Sequence, residues 1–592
     1  MISLLSGCTV CRDSGEGVTV RLPVRDEALE ALQRDTYDVL VIGGGITGAG
    51  VAMDAAARGL RVALVERRDY ASGTSRWSTK LVHGGIRYLP QLDIGLVHEA
   101  LVERGLLLRN APRLVEPLLF VLPLYRFLRH PLGLRWVPPH PLLQTLFVWT
   151  GLLTYDLLAG RHNIGRHRRL STEQVSEMVP VLRRDGLAAA FGYYDARTDD
   201  ARLVLNVLAT AAAYGACLVN YCSVIGFERQ DGRLTAAVVQ DELTGKQFAI
   251  RARLFVNATG VWGEQLERLT GESPAVHIAP SKGVHLVLPR ARFAMRDVAV
   301  IFPETADRRV LFLVPFGNIV ILGTTDTGTG PLESPLPEDA DVEYLLDHAN
   351  QYLDTTLTRG DVISAYAGYR PLIRRGMVET TAQLSRSHEL IEHENGLISI
   401  LGGKLTTFRR MAEETVDVVE RRLGRSPRHV TARLPLAGRH DLERVVGDVT
   451  RQAAALGVEA SVPWLLCAYG TAARDVLELA TQDPALARPI VDGLPYLLAE
   501  VVYACRFEQV QHIDDLLERR TFLAFVDWHH GLQSLETVSM IMARALHWSD
   551  VQRVSEVARF RHRVQELFGA EYGIAVELRA ARAALHTGGG SG

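Results

Sequence analysis

The residues best suited to chemistry in this 592-residue chain lie in one tract near its start. Lys80, His83, Arg87 and Tyr88 surround the Gly84-Gly85 pair, shortly after a Gly43-x-Gly45-x-x-Gly48 turn. Guanidinium and ammonium groups hold anions, and a bidentate arginine fixes both the charge and the orientation of a phosphate or carboxylate. Histidine, with an ordinary pKa near 6.5, can move a proton at neutral pH. The glycine spacing suits a different task, the close approach of backbone to a pyrophosphate. The tract therefore reads as a dinucleotide site, most simply a flavin site, beside an anion pocket.

Positioning such groups requires particular elements. Residues 39–42 are a short aliphatic, β-branched run, as expected of a buried parallel strand. Residues 47–58 follow as a helix rich in small residues, whose N-terminus offers N–H groups and a partial positive charge to a phosphate. A second strand, 61–66, ends in Glu66, 21 residues beyond Gly45, where a ribose-binding carboxylate falls in this motif.

Composition narrows the classes. The chain is too long for a single core. It holds 65 basic and 68 acidic residues, a net charge of −3, so bulk charge points away from nucleic acid and any anion must be met by a local cluster. Six cysteines are too few and too scattered for a disulfide framework. Cys8-x-x-Cys11 lacks a second Cys or His pair at metal-binding spacing, and no metal site is expected. No basic segment or apolar run precedes Cys8, so a lipoprotein signal is rejected. Residues 588–592, Gly-Gly-Gly-Ser-Gly, read as a flexible tail.

Further along, a helix is expected over 92–109. Residues 112–165 are rich in Pro, Leu and aromatics with interspersed arginines, and the apolar run 142–159 is marginal for a membrane span, which needs about 20 apolar residues. With basic flanks it fits docking on an anionic membrane surface better than spanning, the competing reading being a helix under a lid. A helix over 200–214 precedes strands near 218–225, 234–240, 248–252 and 254–260. Strands near 285–288, 298–301, 310–314 and 319–322 read as an antiparallel sheet. A further strand–turn–helix unit begins at 397, and beyond about 435 the pattern is helical.

Taken together, several segments resemble one family. They are 41–50, 78–89, Asp200-Ala-Arg-Leu203, Val256-Asn-Ala-Thr-Gly-Val-Trp262, Ser281-Lys-Gly-Val-His285, Gly323-Thr-Thr-Asp326, Tyr366-Ala-Gly-Tyr-Arg-Pro-Leu372 and Gly402-Gly-Lys-Leu-Thr-Thr-Phe-Arg409. Their order over 37–425 is similar to that of the FAD-dependent glycerol-3-phosphate dehydrogenases, in the flavoprotein superfamily of D-amino-acid oxidase. Asp514-Asp-Leu-Leu-Glu-Arg-Arg-Thr521 resembles that family's terminal domain.

The resemblance implies an α/β chain with a discontinuous Rossmann-like FAD-binding domain, an antiparallel-sheet substrate domain and a C-terminal helical domain. The implied limits are a lead-in over 1–36, FAD-binding segments at 37–110, 190–263 and 362–425, a cap or membrane-facing segment at 111–189, a substrate domain at 264–361, helices over 426–585 and a tail from 586. FAD is the implied cofactor, held by Gly43, Gly45, Ile46, Thr47, Gly48, Glu66, Thr74, Ser75, Ser78, Lys80, His83, Gly85, Gly260, Gly403, Lys404, Leu405 and Thr406. Arg87, Tyr88, Arg370, Lys404 and Arg386 are implied for the substrate phosphate, and His285, Arg370 and Lys404 for catalysis. His83 competes with His285 as the base. Phe408 departs from the tyrosine common at that position, removing a hydroxyl expected near the flavin.

The implied reaction is oxidation of sn-glycerol 3-phosphate to dihydroxyacetone phosphate by hydride transfer to flavin N5, with a membrane quinone as acceptor. The implied location is cytoplasmic, peripheral on the inner membrane face, with a homodimer among the open oligomeric states. The alternatives are an oxidase using O2, a related 2-hydroxy-acid or amine oxidoreductase, a catalytically silent flavin-binding protein or membrane-associated scaffold, and, on the glycine turn alone, a NAD(P)-binding subunit.

Overall fold

The computed structural model describes residues 20–91, 93–133, 140–328, 330–374 and 388–569. Arg386, Cys8 and Cys11 lie outside them.

Five short aliphatic strands form the parallel centre of the first sheet, in the order Leu397–Gly402, Gln247–Asn257, Thr36–Ile42, Val62–Val65 and Cys217–Val219. Helices Ile46–Ala57, Asp200–Ala213 and Phe408–Arg422 bury their small and branched residues against it. Two expected strands, 248–252 and 254–260, are one. Gln247–Asn257 pairs antiparallel with Arg233–Asp241 through its first half and parallel with Thr36–Ile42 along most of its length. Conversely, the expected strand 218–225 breaks at Tyr221, whose φ is +52°, into Cys217–Val219 and Cys222–Gln230.

The second sheet has nine strands and is antiparallel except where Val298–Phe302 lies parallel to Val115–Tyr125. One of its long strands, Val115–Tyr125, falls in the stretch read above as apolar and proline-rich, and pairs along its length with Leu187–Thr198. Pro117 and Pro123 weaken the strand pattern there, because proline cannot donate to a ladder. The strand Ser364–Arg374 also belongs to this sheet, paired with His277–Pro289 from His277 opposite Arg374 to Val287 opposite Ser364. The substrate sheet thus extends past 361, and Arg370 stands on it rather than on the nucleotide-binding unit.

The C-terminal helices dock on the first unit through a buried ionic seam. Asp69 accepts from Arg519 and Arg520, and Arg202 pairs with Glu508 at 2.5 Å. Arg76 pairs with Glu518 at 2.6 Å. Asp515–Arg520, expected as ordinary helix, is one wide, wholly buried π turn whose acidic and basic groups all point into this seam. Breaking one partner of such a network strands a buried charge at a cost of about 3–5 kcal/mol.

Helix Pro141–Ala159 lies on the substrate sheet with two unlike faces. Val148, Leu152, Tyr155 and Ala159 are buried, whereas Leu142 and Leu157 are 72% and 71% exposed and Leu143, Leu146 and Phe147 are also in the open. Exposed Arg161, Arg166, Arg168 and Arg169 follow it. Among the described residues it begins the one helical segment long and apolar enough to cross a membrane by length and composition.

Candidate functional site

A cavity of about 450 Å³ runs between the two sheets. At one end the strand Thr36–Ile42 passes into the helix Ile46–Ala57 through the glycine turn. Gly48 packs so closely on the carbonyl of Gly43 that an added Cβ would sit 1.9 Å from that oxygen, so only glycine lets the helix begin there. Gly43, Gly45, Ile46 and Thr47 line the cavity, and the helix N-cap, Gly45, carries no side-chain cap. Such a glycine turn at a helix start suits a pyrophosphate. Glu66 also lines it, accepting from the N–H groups of Gly44 at 2.6 Å and Arg68 at 2.9 Å.

Along the middle lie Thr74, Ser75 and Ser78. Ser75 Oγ accepts from Ile46 N at 2.9 Å, Thr74 Oγ1 donates to Tyr369 O at 2.7 Å, and Ser78 Oγ donates to Asp200 at 2.6 Å. Gly260, Gly403, Leu405 and Thr406 also line the cavity.

The far end holds the cations. Arg87 Nη2 donates to Tyr88 Oη at 2.9 Å, and the Lys404 ammonium stands 4.1 Å from the centre of the Tyr88 ring. Arg87 Nε is buried without a hydrogen-bond partner, and no carboxylate pairs with this arginine among the described residues. Arg370 arrives from the substrate sheet, donating to Ser281 Oγ at 3.3 Å, Thr324 Oγ1 at 3.0 Å and Thr325 O at 3.1 Å. Strands and turns distant in sequence thereby gather Arg87, Arg370 and Lys404 in the lining of one cavity. That gathering of positive charge is built for an anion.

His285 lines the same cavity. Thr79 Oγ1 lies 2.9 Å from its Nε2, while Nδ1 is buried with no partner. Burial, then the charges of Arg370 and Lys80, holds its pKa well below the ordinary histidine value. His285 is therefore neutral at pH 7 and able to accept a proton. His83 also lines the cavity, its backbone N–H donating to Thr406 Oγ1 at 3.2 Å.

The Gly84-Gly85 turn between these groups is held from behind. Asp195 accepts from Gly84 N at 3.0 Å, from Arg104 at 2.6 Å and from Tyr155 Oη at 2.8 Å. Tyr155 belongs to the apolar surface helix Pro141–Ala159.

Several expected contacts fall elsewhere. Lys80 does not line the cavity: its backbone sits at φ +58°, and the ammonium turns inward to a buried ion pair with Asp200, 4.3 Å from the Phe522 ring centre. Gly48 and Gly85 shape their turns from behind rather than lining the main cavity, Gly85 lying against the Tyr88 ring. Phe408 is no wall of the cavity either. It opens the helix Phe408–Arg422 and buries its ring against Gly50, so the tyrosine-to-phenylalanine departure does not reach the pocket.

The structure adds residues that motif reading missed. Thr79, Ser281 and Thr324 contact His285 and Arg370, and all three sit inside quoted motifs without having been singled out. Glu333 carries no motif at all. Its carboxylate ties Arg67 at 2.7 Å, Arg68, and Trp262 Nε1 at 2.9 Å, three residues at the rim of the dinucleotide end. Exposed pairs of this kind contribute about 0.2–1 kcal/mol each. Glu333→Ala is expected to speed FAD dissociation about 3- to 10-fold, read from the return of free-flavin fluorescence after dilution. An unchanged rate removes the strap from cofactor retention.

Comparison with known proteins bears on these observations. The profile of the FAD dependent oxidoreductase family matches residues 38–418, and that of the C-terminal domain of alpha-glycerophosphate oxidase matches 429–553. The glycerol-3-phosphate dehydrogenase 2 of Mycobacterium bovis is 37% identical over 91% of this chain and 90% of its own length. The human mitochondrial glycerol-3-phosphate dehydrogenase is 37% identical over 92% of this chain and 76% of its own. Among solved structures, the glycerol-3-phosphate dehydrogenase of Bacillus halodurans complexed with FAD superposes with a TM-score of 0.74 at 32% identity, covering 91% of this chain and 97% of that one.

Proposed function

This chain belongs to the FAD-dependent glycerol-3-phosphate dehydrogenases, and from that premise we propose that it oxidises sn-glycerol 3-phosphate to dihydroxyacetone phosphate at the cavity described and passes the electrons to a membrane quinone. The observation that carries the substrate reading is the joint presence, in the lining of one cavity, of Arg370, Lys404 and Arg87, whose Nε is buried and which meets no carboxylate among the described residues.

In this reading the glycine turn and the N-terminus of the helix Ile46–Ala57 hold the FAD pyrophosphate, and Glu66 faces the ribose. FAD, when bound, supplies the hydride acceptor. Arg87, Arg370 and Lys404 bind the substrate phosphate, and Tyr88 adds a hydroxyl between the first and last of them. His285, neutral and buried, takes the proton of the secondary hydroxyl. Thr79 and the cross-strand neighbours keep the ring facing the substrate. A lone carboxylate would need only one of these cations, so the set favours phosphate over 2-hydroxy acids and amino acids.

The test is anaerobic flavin bleaching with sn-glycerol 3-phosphate, glycerol, lactate and amino acids compared in parallel. Bleaching by glycerol or lactate as fast as by the phosphate ester would overturn the substrate reading. For the acceptor, a short-chain quinone should reoxidise the reduced enzyme far faster than air-saturated buffer does; the reverse order would make it an oxidase.

The exposed leucines of Pro141–Ala159 and the arginines after them support peripheral docking on the cytoplasmic face of an anionic membrane. Changing Leu142, Leu146 and Leu157 to Gln together is expected to cut co-sedimentation with anionic vesicles at least tenfold, since each buried leucine contributes about 1.5–3 kcal/mol. Salt should weaken binding of the unaltered chain. Equal sedimentation of the two forms would place the docking surface elsewhere.

A further inference from the structure

We propose that the C-terminal helical domain holds His285 in position, through an aromatic stack in which Tyr366 is the positioning residue. The inference rests on His285 being the base of the proposed reaction.

Tyr366 stands directly across from His285 in the register of two neighbouring strands. Its ring stacks on the imidazole, with centroids 4.8 Å apart and planes 19° from parallel. Trp77 also stacks on Tyr366, at 5.7 Å. The C-terminal domain supplies the remaining contacts. Phe522 and Phe525 meet the Tyr366 ring edge-on at 6.0 and 5.9 Å, and Phe525 meets Trp77 at 5.6 Å. Arg76 lies 3.4 Å over the Trp77 ring and is anchored by Glu518 of the same domain. Tyr366 Oη donates to Ser78 O at 2.9 Å, tying the stack to the turn that carries Thr79.

Tyr366 does not itself line the cavity; it touches three residues that do, Trp77, Ser78 and His285, and His285 is the one of them given a part in proton transfer. The imidazole has one hydrogen bond, to Thr79, and otherwise depends on packing for its orientation. Edge-to-face and offset-stacked pairs add about 0.5–1.5 kcal/mol each beyond the area they bury, and five ring pairs meet at Tyr366 and Trp77 here. The charged groups around the stack are Arg370 and Lys80 near His285, Asp199 and Asp200 near Tyr366, and Arg76 over Trp77. Phe522 and Phe525 bring none. They keep the stack dry.

A displaced base slows proton removal without weakening phosphate binding, since a shift of about 1 Å can cost 100-fold in rate. Phe525→Ala is therefore expected to slow anaerobic flavin reduction about 10- to 100-fold with KM changed less than about twofold. It should also move the acid limb of kcat/KM upward, as water reaches the ring. Tyr366→Leu should do the same and Tyr366→Phe should restore most of the rate, which keeps the comparison available if Phe525→Ala does not fold. The decisive arm repeats Phe525→Ala or Tyr366→Leu in a His285→Ala background. Little further loss there supports positioning through His285. A full, multiplicative loss overturns positioning and leaves the base assignment standing. A His285→Ala single variant that reduces its flavin at the unaltered rate overturns the base assignment instead.

Discussion

Replacing His285 by alanine is expected to slow anaerobic reduction of the flavin by sn-glycerol 3-phosphate about 10²- to 10⁴-fold, the usual worth of a positioned general base, with FAD still bound. The imidazole sits on the substrate sheet, away from the glycine cradle, so cofactor content should not follow activity. The pH dependence gives a second check. Burial, Arg370 and Lys80 all disfavour the imidazolium, so the acid limb of kcat/KM in the free enzyme should lie well below pH 6.5. A phosphate dianion on Arg370 cancels one of those causes. In the substrate complex the histidine regains basicity, and the acid limb of kcat should lie at higher pH than that of kcat/KM. A kcat/KM limb at or above pH 6.5, or full activity of His285→Ala over pH 6–8, would remove this residue from proton transfer.

Replacing Arg370 by alanine is expected to raise KM for the substrate about 10- to 150-fold, from the loss of a charge-assisted hydrogen-bond pair contributing about 1.5–3 kcal/mol. Ser281 Oγ, Thr324 Oγ1 and Thr325 O fix the guanidinium before substrate arrives, so little ordering is required on binding. Arg370→Lys keeps the charge but loses the fork and should recover only part of the affinity. Because Arg370 also depresses His285, its removal should move the kcat/KM acid limb upward and narrow its separation from the kcat limb. An unchanged KM would assign the phosphate to Arg87 and Lys404 alone.

How much of this was legible beforehand depended on what each residue type demands. The glycine turn was readable because Gly43 and Gly48 answer a steric requirement no other side chain meets. The parallel strands were readable from their unbroken aliphatic runs. Direction was not. Lys80 and Thr79 are adjacent, yet it is Thr79 that meets the imidazole, because a single left-handed residue turns the lysine to Asp200. Phe408 was placed near the flavin by its neighbours, whereas its position at a helix start sends the ring under Gly50. Val115–Tyr125 was hidden by its two prolines. Glu333 and the Phe522–Phe525 pair leave no local trace, since each works only against segments far away in sequence.

Under the proposed membrane docking, the two-faced helix Pro141–Ala159 bears on how a soluble form of this enzyme would be engineered. Excising the whole apolar segment removes Tyr155 from Asp195 and unbraces the Gly84 amide and Arg104, so a truncated protein would lose activity for reasons unrelated to lipid. Polar replacements confined to Leu142, Leu146 and Leu157 leave that brace in place. Handling properties and turnover are thus addressable on opposite sides of one helix, which makes its outer face the natural place to begin a detergent-free preparation.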